Sequence, residues 1–351
     1  MRVLLLSKYS RLGASSRVRV FQYLPYLAAR GVEVTSEPLF DDSYLRVLYE
    51  SGRRSFGSLL TAYLRRLRSL TRRRNFDIVW IEGELFPWIP TVCESLLTPR
   101  IPVLVDYDDA IFHKYDLHPS LIVRHILGAK IDVVMRRATM VVAGNDYLAD
   151  RARSAGAERV AVIPTAVDTT RYRLDYQPPP TFTLGWIGTP TTASYLQMLH
   201  GPVLEARATV PLCFRVIGSA KVPDIVDDTL PWSEEIEPAM GRLFSAGVMP
   251  LPNSPWELGK CGYKLIQYMA CGLPVIASPV GANRQIVVDG ETGILAETDS
   301  DWRAAIERLR ADPVLCRRFG EAGRQRVERF FSIRVCAPMV YEALSAAASA
   351  R

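Results

Sequence analysis

Short, wholly apolar runs recur along this chain at intervals that leave room for about one helix between neighbours, and few architectures accommodate that rhythm. In the first half they are Val3-Leu4-Leu5-Leu6, Ile78-Val79-Trp80-Ile81, Val103-Leu104-Val105, Met140-Val141-Val142-Ala143 and Val160-Ala161-Val162-Ile163. A strand without polar alternation is buried on both faces, which in a parallel sheet means helices above and below. The first run leads through the loop Ser10-Arg11-Leu12-Gly13-Ala14-Ser15-Ser16 into a helix ending at Tyr26-Leu27-Ala28-Ala29-Arg30. Gly31 stops that helix and Val32-Glu33-Val34 opens the next strand, completing a βαβ unit. Pro178-Pro179-Pro180 favours an extended connection, and a second series then starts at Phe182-Thr183-Leu184-Gly185-Trp186-Ile187-Gly188. It continues with Phe214-Arg215-Val216-Ile217-Gly218, Gly247-Val248-Met249-Pro250-Leu251 and Val275-Ile276-Ala277-Ser278. The chain therefore reads as α/β with two doubly wound Rossmann-like domains sharing a cleft: residues 1–170, a linker at 171–181, residues 182–332 and a closing helical segment 333–351. Its 351 residues, 48% hydrophobic, suffice for two cores of ordinary size.

Chemistry concentrates between Pro250 and Gln285. The loop Trp256-Glu257-Leu258-Gly259-Lys260-Cys261-Gly262 precedes Tyr263-Lys264-Leu265-Ile266-Gln267-Tyr268-Met269-Ala270, whose apolar residues have helical spacing; Gly272 and Pro274 end the helix. A helix N-terminus behind a glycine loop presents backbone N–H groups and the positive dipole end, a natural site for an anion such as a diphosphate.

The order Gly-X-X-Gly, helix, Met-Ala-Cys-Gly-Leu-Pro-Val-Ile-Ala-Ser, then Gly281 and Asp289-Gly290-Glu291-Thr292-Gly293-Ile294-Leu295, resembles the donor half of family 4 glycosyltransferases. The resemblance implies the GT-B fold, transfer with retention of anomeric configuration, and a last helix that returns to the N-terminal domain. It makes residues 1–170 the acceptor domain and residues 182–332 the nucleotide-sugar domain. In that family one glutamate contacts the donor sugar and a second, eight positions on, binds the ribose. Those positions fall here on Gly259 and Gln267. Gln267 retains hydrogen-bonding capacity toward a ribose hydroxyl, and Glu257 is the candidate substitute on the sugar side.

A departing diphosphate needs cations or N–H donors. Lys260 and Lys264, four apart at the helix start, are candidates with Gly262 and Tyr263; ordinary surface lysines are the bland alternative. The loop after the first donor-domain strand, Gly188-Thr189-Pro190-Thr191-Thr192, carries no cation, so Gly188 would contribute backbone only. By the resemblance, the loop holding Gly13 and Arg17 faces the donor phosphates; Ser15 or Ser16 capping a helix, with Arg17 at the surface, is the alternative.

Asp106-Tyr107-Asp108-Asp109 reads as following the end of the Val103 strand, and Asp108 or Asp109 is the candidate general base or acceptor-orienting group, with His113 nearby in sequence. Glu82 and Glu84, after the Ile78 strand, are candidate acceptor contacts or solvated acids. Leu230-Pro231-Trp232-Ser233 precedes a helix start capped by Ser233, and Trp232 is either a base-stacking group or a core anchor.

Charge is uneven. Residues 1–170 hold 24 Lys+Arg against 18 Asp+Glu, whereas 171–351 are neutral. Eight arginines and no acid lie between Arg53 and Arg74, interleaved with Phe56, Leu59, Leu60, Tyr63, Leu64, Leu67 and Leu70. That describes a basic amphipathic helix over residues 53–74, either docked on an anionic membrane surface or packed on its own domain. No signal peptide or membrane span is read, so a cytoplasmic protein is expected, either free or peripheral on the inner membrane face. Six cysteines without C-x-x-C spacing and four histidines point to reduced thiols, no metal and no cofactor; a nucleic-acid partner has no motif to support it. The expected activity is retaining transfer from a nucleotide diphosphate sugar to a glycan or lipid-linked acceptor in cell-envelope or exopolysaccharide synthesis. A nucleotide-sugar 2-epimerase and a non-catalytic glycan-binding protein remain as alternatives.

Overall fold

A computed structural model describes residues 1–51, 56–91, 101–172, 174–209 and 211–350. Arg53, Arg54 and Cys93 lie outside them. The chain divides into two compact units, Met1–Thr165 with Cys336–Arg351, and Ala166–Val335.

The first unit holds a parallel six-stranded sheet of β1 (Arg2–Leu6), β2 (Glu33–Ser36), β3 (Ile78–Glu82), β4 (Val103–Tyr107), β5 (Met140–Ala143) and β6 (Val160–Val162), in the order β2-β1-β3-β4-β5-β6. All five residues of β3 and of β4 are buried, as the unbroken apolar runs require, and Trp80 is among the largest enclosed side chains. The β4 strand extends two residues beyond its apolar run. Asp106 is therefore a sheet residue in register with Glu82, not part of a loop, and it is tolerated there because Arg19 Nε lies 2.5 Å from its Oδ1 with both side chains 2% exposed. Residues from Cys336 onward, in the helix Ile333–Ala348, group with this unit; Arg159 Nη1 donates to Ala346 O at 3.3 Å.

The second unit repeats the architecture with β7 (Thr183–Ile187), β8 (Cys213–Ile217), β9 (Asp228–Leu230), β10 (Ala246–Met249), β11 (Val275–Ala277) and β12 (Gly293–Leu295), ordered β12-β11-β10-β7-β8-β9 and parallel throughout. The short edge strands β9 and β12 carry too few apolar residues to stand out in the sequence. Residues ahead of the proline run already pack with this unit: Tyr172 is in its core, Tyr176 Oη donates to Ser245 O at 2.9 Å, and Gln177 N donates to Gly241 O at 3.0 Å.

The segment read as a basic amphipathic helix forms the helix Phe56–Thr71 and a short 3-10 turn Arg73–Asn75. Of the stripe's leucines only Leu70 turns inward. Ala62, Arg66, Ser69 and Leu70 face the unit, with Arg66 Nη2 donating to Ser7 O at 2.5 Å, while Leu60 and Leu64 are 53% and 57% exposed.

Candidate functional site

In an open parallel sheet, groups converge outside the carboxyl ends of the strands where the strand order reverses. The second unit reverses between β7 and β10. The loop after β7 opens with Gly188, where a Cβ would lie 2.4 Å from Trp186 Cη2 and 2.9 Å from Lys264 Cε; glycine alone permits that approach. The loop after β10 carries the short helix Pro255–Leu258 and then Gly262, whose φ of +65° is left-handed and whose Cβ would meet Ile286 Cδ1 at 2.2 Å. Gly262 starts the helix Tyr263–Ala270, so first-turn N–H groups point out of a fixed, glycine-set end beside the β7 loop.

Glu257 is buried on this loop. Tyr195 Oη donates to its Oε1 at 2.5 Å and Ser254 Oγ donates to its other oxygen. Gly259, the matching family position, is the C-terminal cap of the same short helix. The two lysines do not share a helix face, because Lys260 precedes the left-handed Gly262: Lys260 Nζ stands 5.4 Å from the Trp256 ring and Lys264 Nζ 5.3 Å from the Trp186 ring. Lys264 is thereby the lysine held at the end of β7.

A second group adjoins this loop. Gln267 Nε2 donates to Tyr172 Oη at 3.0 Å, Tyr172 Oη donates to Glu237 Oε2 at 3.1 Å, and Trp232 Nε1 donates to Glu237 Oε1 at 2.9 Å. Trp232 is 37% exposed and tethered at its indole nitrogen; Ser233 Oγ accepts from Ile236 N at 3.2 Å, as a cap would. Tyr263 lies beside Tyr172, whose phenol is pushed well up, first by burial and then by the neighbouring Tyr263 and Glu237.

The first unit reverses between β1 and β3, and the same edge rule collects its polar groups. Gly13 precedes the helix Ala14–Arg19, within which Arg17 is buried. Glu82 is buried and accepts from Ser15 Oγ at 3.1 Å, Ser16 Oγ at 2.6 Å and Lys8 N at 3.0 Å, so its carboxylate pins the β1 loop; burial pushes its pKa up against those donors. Glu84 accepts from Tyr115 Oη at 2.6 Å and Lys130 Nζ at 2.8 Å, with Lys114 Nζ at 3.8 Å. Both glutamates are thus engaged within the unit.

Asp108 and Asp109 follow β4, partly exposed. Asp108 is pushed up to about 7, first by desolvation and then by the negative charges of Asp109, Glu82 and Asp106, against the pull of Arg19. Lys114 is pulled down to about 8 by burial and by Lys8, against Glu84, Asp109 and Asp108. An acid and a base that both titrate near neutrality therefore stand at one sheet edge. His113 is engaged with Asp116 Oδ1 and Tyr147 Oη, each at 2.8 Å. Apart from this edge, a hollow of about 500 Å³ opens between the helices Asp42–Ser51 and Phe56–Thr71, lined by Phe40, Tyr44, Thr61 and Arg65. It lacks such a cluster: its acid, Asp41, is held down to about 2, chiefly by the Ser43 hydroxyl and Tyr44 N–H. Among the described residues no group of three or more His, Cys, Asp or Glu is placed to hold a metal ion.

Tyr195, Tyr172, Glu237 and Lys114 were not identified from the sequence. The pairs Tyr195–Glu257, Tyr172–Glu237, Tyr172–Gln267 and Lys114–Glu84 span 62, 65, 95 and 30 residues, and no local spacing signals them.

Two six-stranded parallel sheets with this strand order define a GT-B protein. The same fold is found in sucrose-phosphate synthase from Thermosynechococcus elongatus, with a TM-score of 0.73 and 17% identity over 99% of this chain and 100% of that one. Anabaena HepE, solved in complex with UDP and glucose, gives a TM-score of 0.69 at 15% identity over 98% and 99%. Residues 17–171 match the model of Glycosyltransferase Family 4 and residues 248–326 match that of Glycosyl transferases group 1. A D-inositol 3-phosphate glycosyltransferase from Streptomyces bingchenggensis is 34% identical over 38% of this chain and 29% of its own length. An alpha-maltose-1-phosphate synthase from Mycobacterium tuberculosis is 41% identical over 26% of this chain and 25% of its own. The matches thus span between a quarter and a third of the length of these curated relatives.

Proposed function

We propose that the protein is a retaining glycosyltransferase that takes its sugar from a nucleotide diphosphate sugar held by the second unit. The observation that carries this reading is the junction of β7 and β10, where Gly188 closely approaches Lys264 and the Gly262-led helix end, the latter two inside the region matched by the group 1 model. The diphosphate is held by first-turn N–H groups and Lys264, and Gln267 and Trp232 take the ribose and base. Glu257, fixed by Tyr195 and Ser254, stands in for the sugar-contacting glutamate. These groups neutralise the leaving diphosphate without a metal or cofactor. HepE in complex with UDP and glucose supports a nucleotide-sugar donor.

The first unit receives the acceptor, and Asp108, with its pKa near neutrality, orients or deprotonates the acceptor hydroxyl at the sheet edge. Departure of the diphosphate on the same face assists that proton transfer. Gly13 and Arg17 belong to the β1 loop that the family turns toward the phosphates. We assign the acceptor to a glycan or lipid-linked saccharide of cell-envelope or exopolysaccharide synthesis, met at the cytoplasmic membrane face. Exposed Leu59, Leu60, Leu64 and Leu67 beside the exposed Arg68 support that placement, since basic and apolar groups together favour an anionic leaflet. Among the described residues no helix is long and apolar enough to cross a membrane.

The test is a thermal-shift panel of UDP-, GDP- and ADP-sugars. At least one raises the melting temperature, and Lys264→Ala weakens that nucleotide about tenfold, as loss of a charge-assisted contact does. A panel without any shift overturns the reading.

A further inference from the structure

The family's ribose-binding glutamate is replaced here by Gln267, whose amide has two faces: an oxygen that accepts, as a carboxylate would, and a nitrogen that donates. We propose that Tyr172 and Glu237 are positioning residues that lock the Gln267 amide with its oxygen toward the nucleotide, so that the glutamine presents the same acceptor as the missing glutamate. The proposal rests on the donor-site reading above.

Hydrogen-bond polarity sets the orientation of the amide. Glu237 is buried and, as a carboxylate, only accepts. Trp232 Nε1 only donates and occupies Oε1 at 2.9 Å. Tyr172 Oη, 3.1 Å from Oε2, must therefore turn its single proton to Glu237. With that proton used, the Tyr172 oxygen can only accept from Gln267, and the group 3.0 Å away is the amide nitrogen. The reverse amide orientation would set two lone pairs against each other inside a buried cluster, at a cost of about 1–3 kcal/mol. Tyr172 stays a neutral phenol, since burial pushes its pKa far up. Gln267 Oε1 accepts from no group among the described residues. An acceptor directed to the ligand takes the proton of a ribose hydroxyl and has no partner in a fluorine at the same position, whereas an amide N–H there could donate to either.

The chain of polarity can be reversed by one isosteric change. In Glu237→Gln the Trp232 N–H holds the new amide oxygen, the new nitrogen donates to Tyr172, Tyr172 donates to Gln267 Oε1, and the Gln267 amide turns its nitrogen to the ligand. Binding of UDP and of its analogue with fluorine in place of the 2′- and 3′-hydroxyls, which can accept but not donate, is measured by calorimetry, with the GDP and ADP pairs in parallel. The wild type prefers the ribonucleotide about tenfold, the equivalent of one good hydrogen bond. Glu237→Gln lowers that preference to about twofold, and Glu237→Gln with Gln267→Glu restores it, because a carboxylate accepts on both oxygens. Tyr172→Phe, which frees the amide, lowers the preference to about threefold and serves if Glu237→Gln does not fold. An unchanged preference in the folded single variants, or none in the wild type, overturns the inference while leaving the donor site standing. A wild type that binds no nucleoside diphosphate overturns the donor site and the inference with it.

Discussion

Replacing Asp108 by asparagine separates the charge at the first unit's sheet edge from its shape. Asp108 has a folded pKa of about 7 against an ordinary value of 3.8, so the folded state binds more protons than the unfolded one between those values. Stability from this group is present in full below the unfolded pKa and is lost as pH rises through 7, because the unfolded chain releases the proton more readily. The full penalty is about 4 kcal/mol, and roughly half of it or more accrues between pH 5 and pH 8. Urea unfolding of wild type and Asp108→Asn at both pH values reads this directly. The variant's stability falls about 2–3 kcal/mol less between pH 5 and pH 8 than the wild type's, whatever constant offset its altered hydrogen bonding adds. The acceptor-side pH profile of the wild type rises through the same range, and the variant loses that limb. Equal pH dependence of stability in the two proteins would refute the placement of a neutral carboxyl at this edge.

The buried Arg19–Asp106 pair makes a second prediction: Asp106→Ala strands the guanidinium in the sheet and costs about 3–5 kcal/mol in urea unfolding, whereas Arg19→Met with Asp106→Leu costs less than half as much. Gly262→Ala forces a side chain into a left-handed position against Ile286; we expect a loss of about 2 kcal/mol by calorimetric melting together with weaker nucleoside diphosphate binding. For the helix Phe56–Thr71, Leu60→Glu with Leu64→Glu abolishes flotation with anionic vesicles while leaving the melting temperature within a few degrees, since both leucines are exposed. Wild-type flotation that persists at high salt and on neutral vesicles would speak against the electrostatic part of that contact.

Much of this architecture is legible in the sequence for a physical reason: a strand enclosed on both faces has to be apolar without interruption, and runs such as Val3–Leu6 and Val275–Ala277 advertise themselves. Glycines were equally informative where backbone geometry leaves no alternative, as at Gly188 and Gly262. What escaped was whatever depends on a distant partner. The extra length of β4 is permitted by Arg19, 87 residues away, and the anchoring of Glu257 by Tyr195 and of Gln267 by Tyr172 spans 62 and 95 residues. The Phe56–Thr71 helix illustrates the limit of periodicity itself. Its leucine stripe is visible in the sequence, but burial of Arg66 over Ser7 O sets which face turns inward, and Leu59, Leu60, Leu64 and Leu67 face out while Leu70 is buried.

The central claim is that the second unit releases a nucleoside diphosphate as its sugar moves to an acceptor with configuration retained. The most direct measurement is NMR of the products after incubation with the stabilising nucleotide sugar, labelled at its anomeric carbon, and a glycan-lipid fraction. The account predicts nucleoside diphosphate released in step with a labelled, acceptor-linked sugar whose anomeric configuration matches the donor's. An inverted linkage, or a free sugar rearranged at C2 with no acceptor modified, would contradict it.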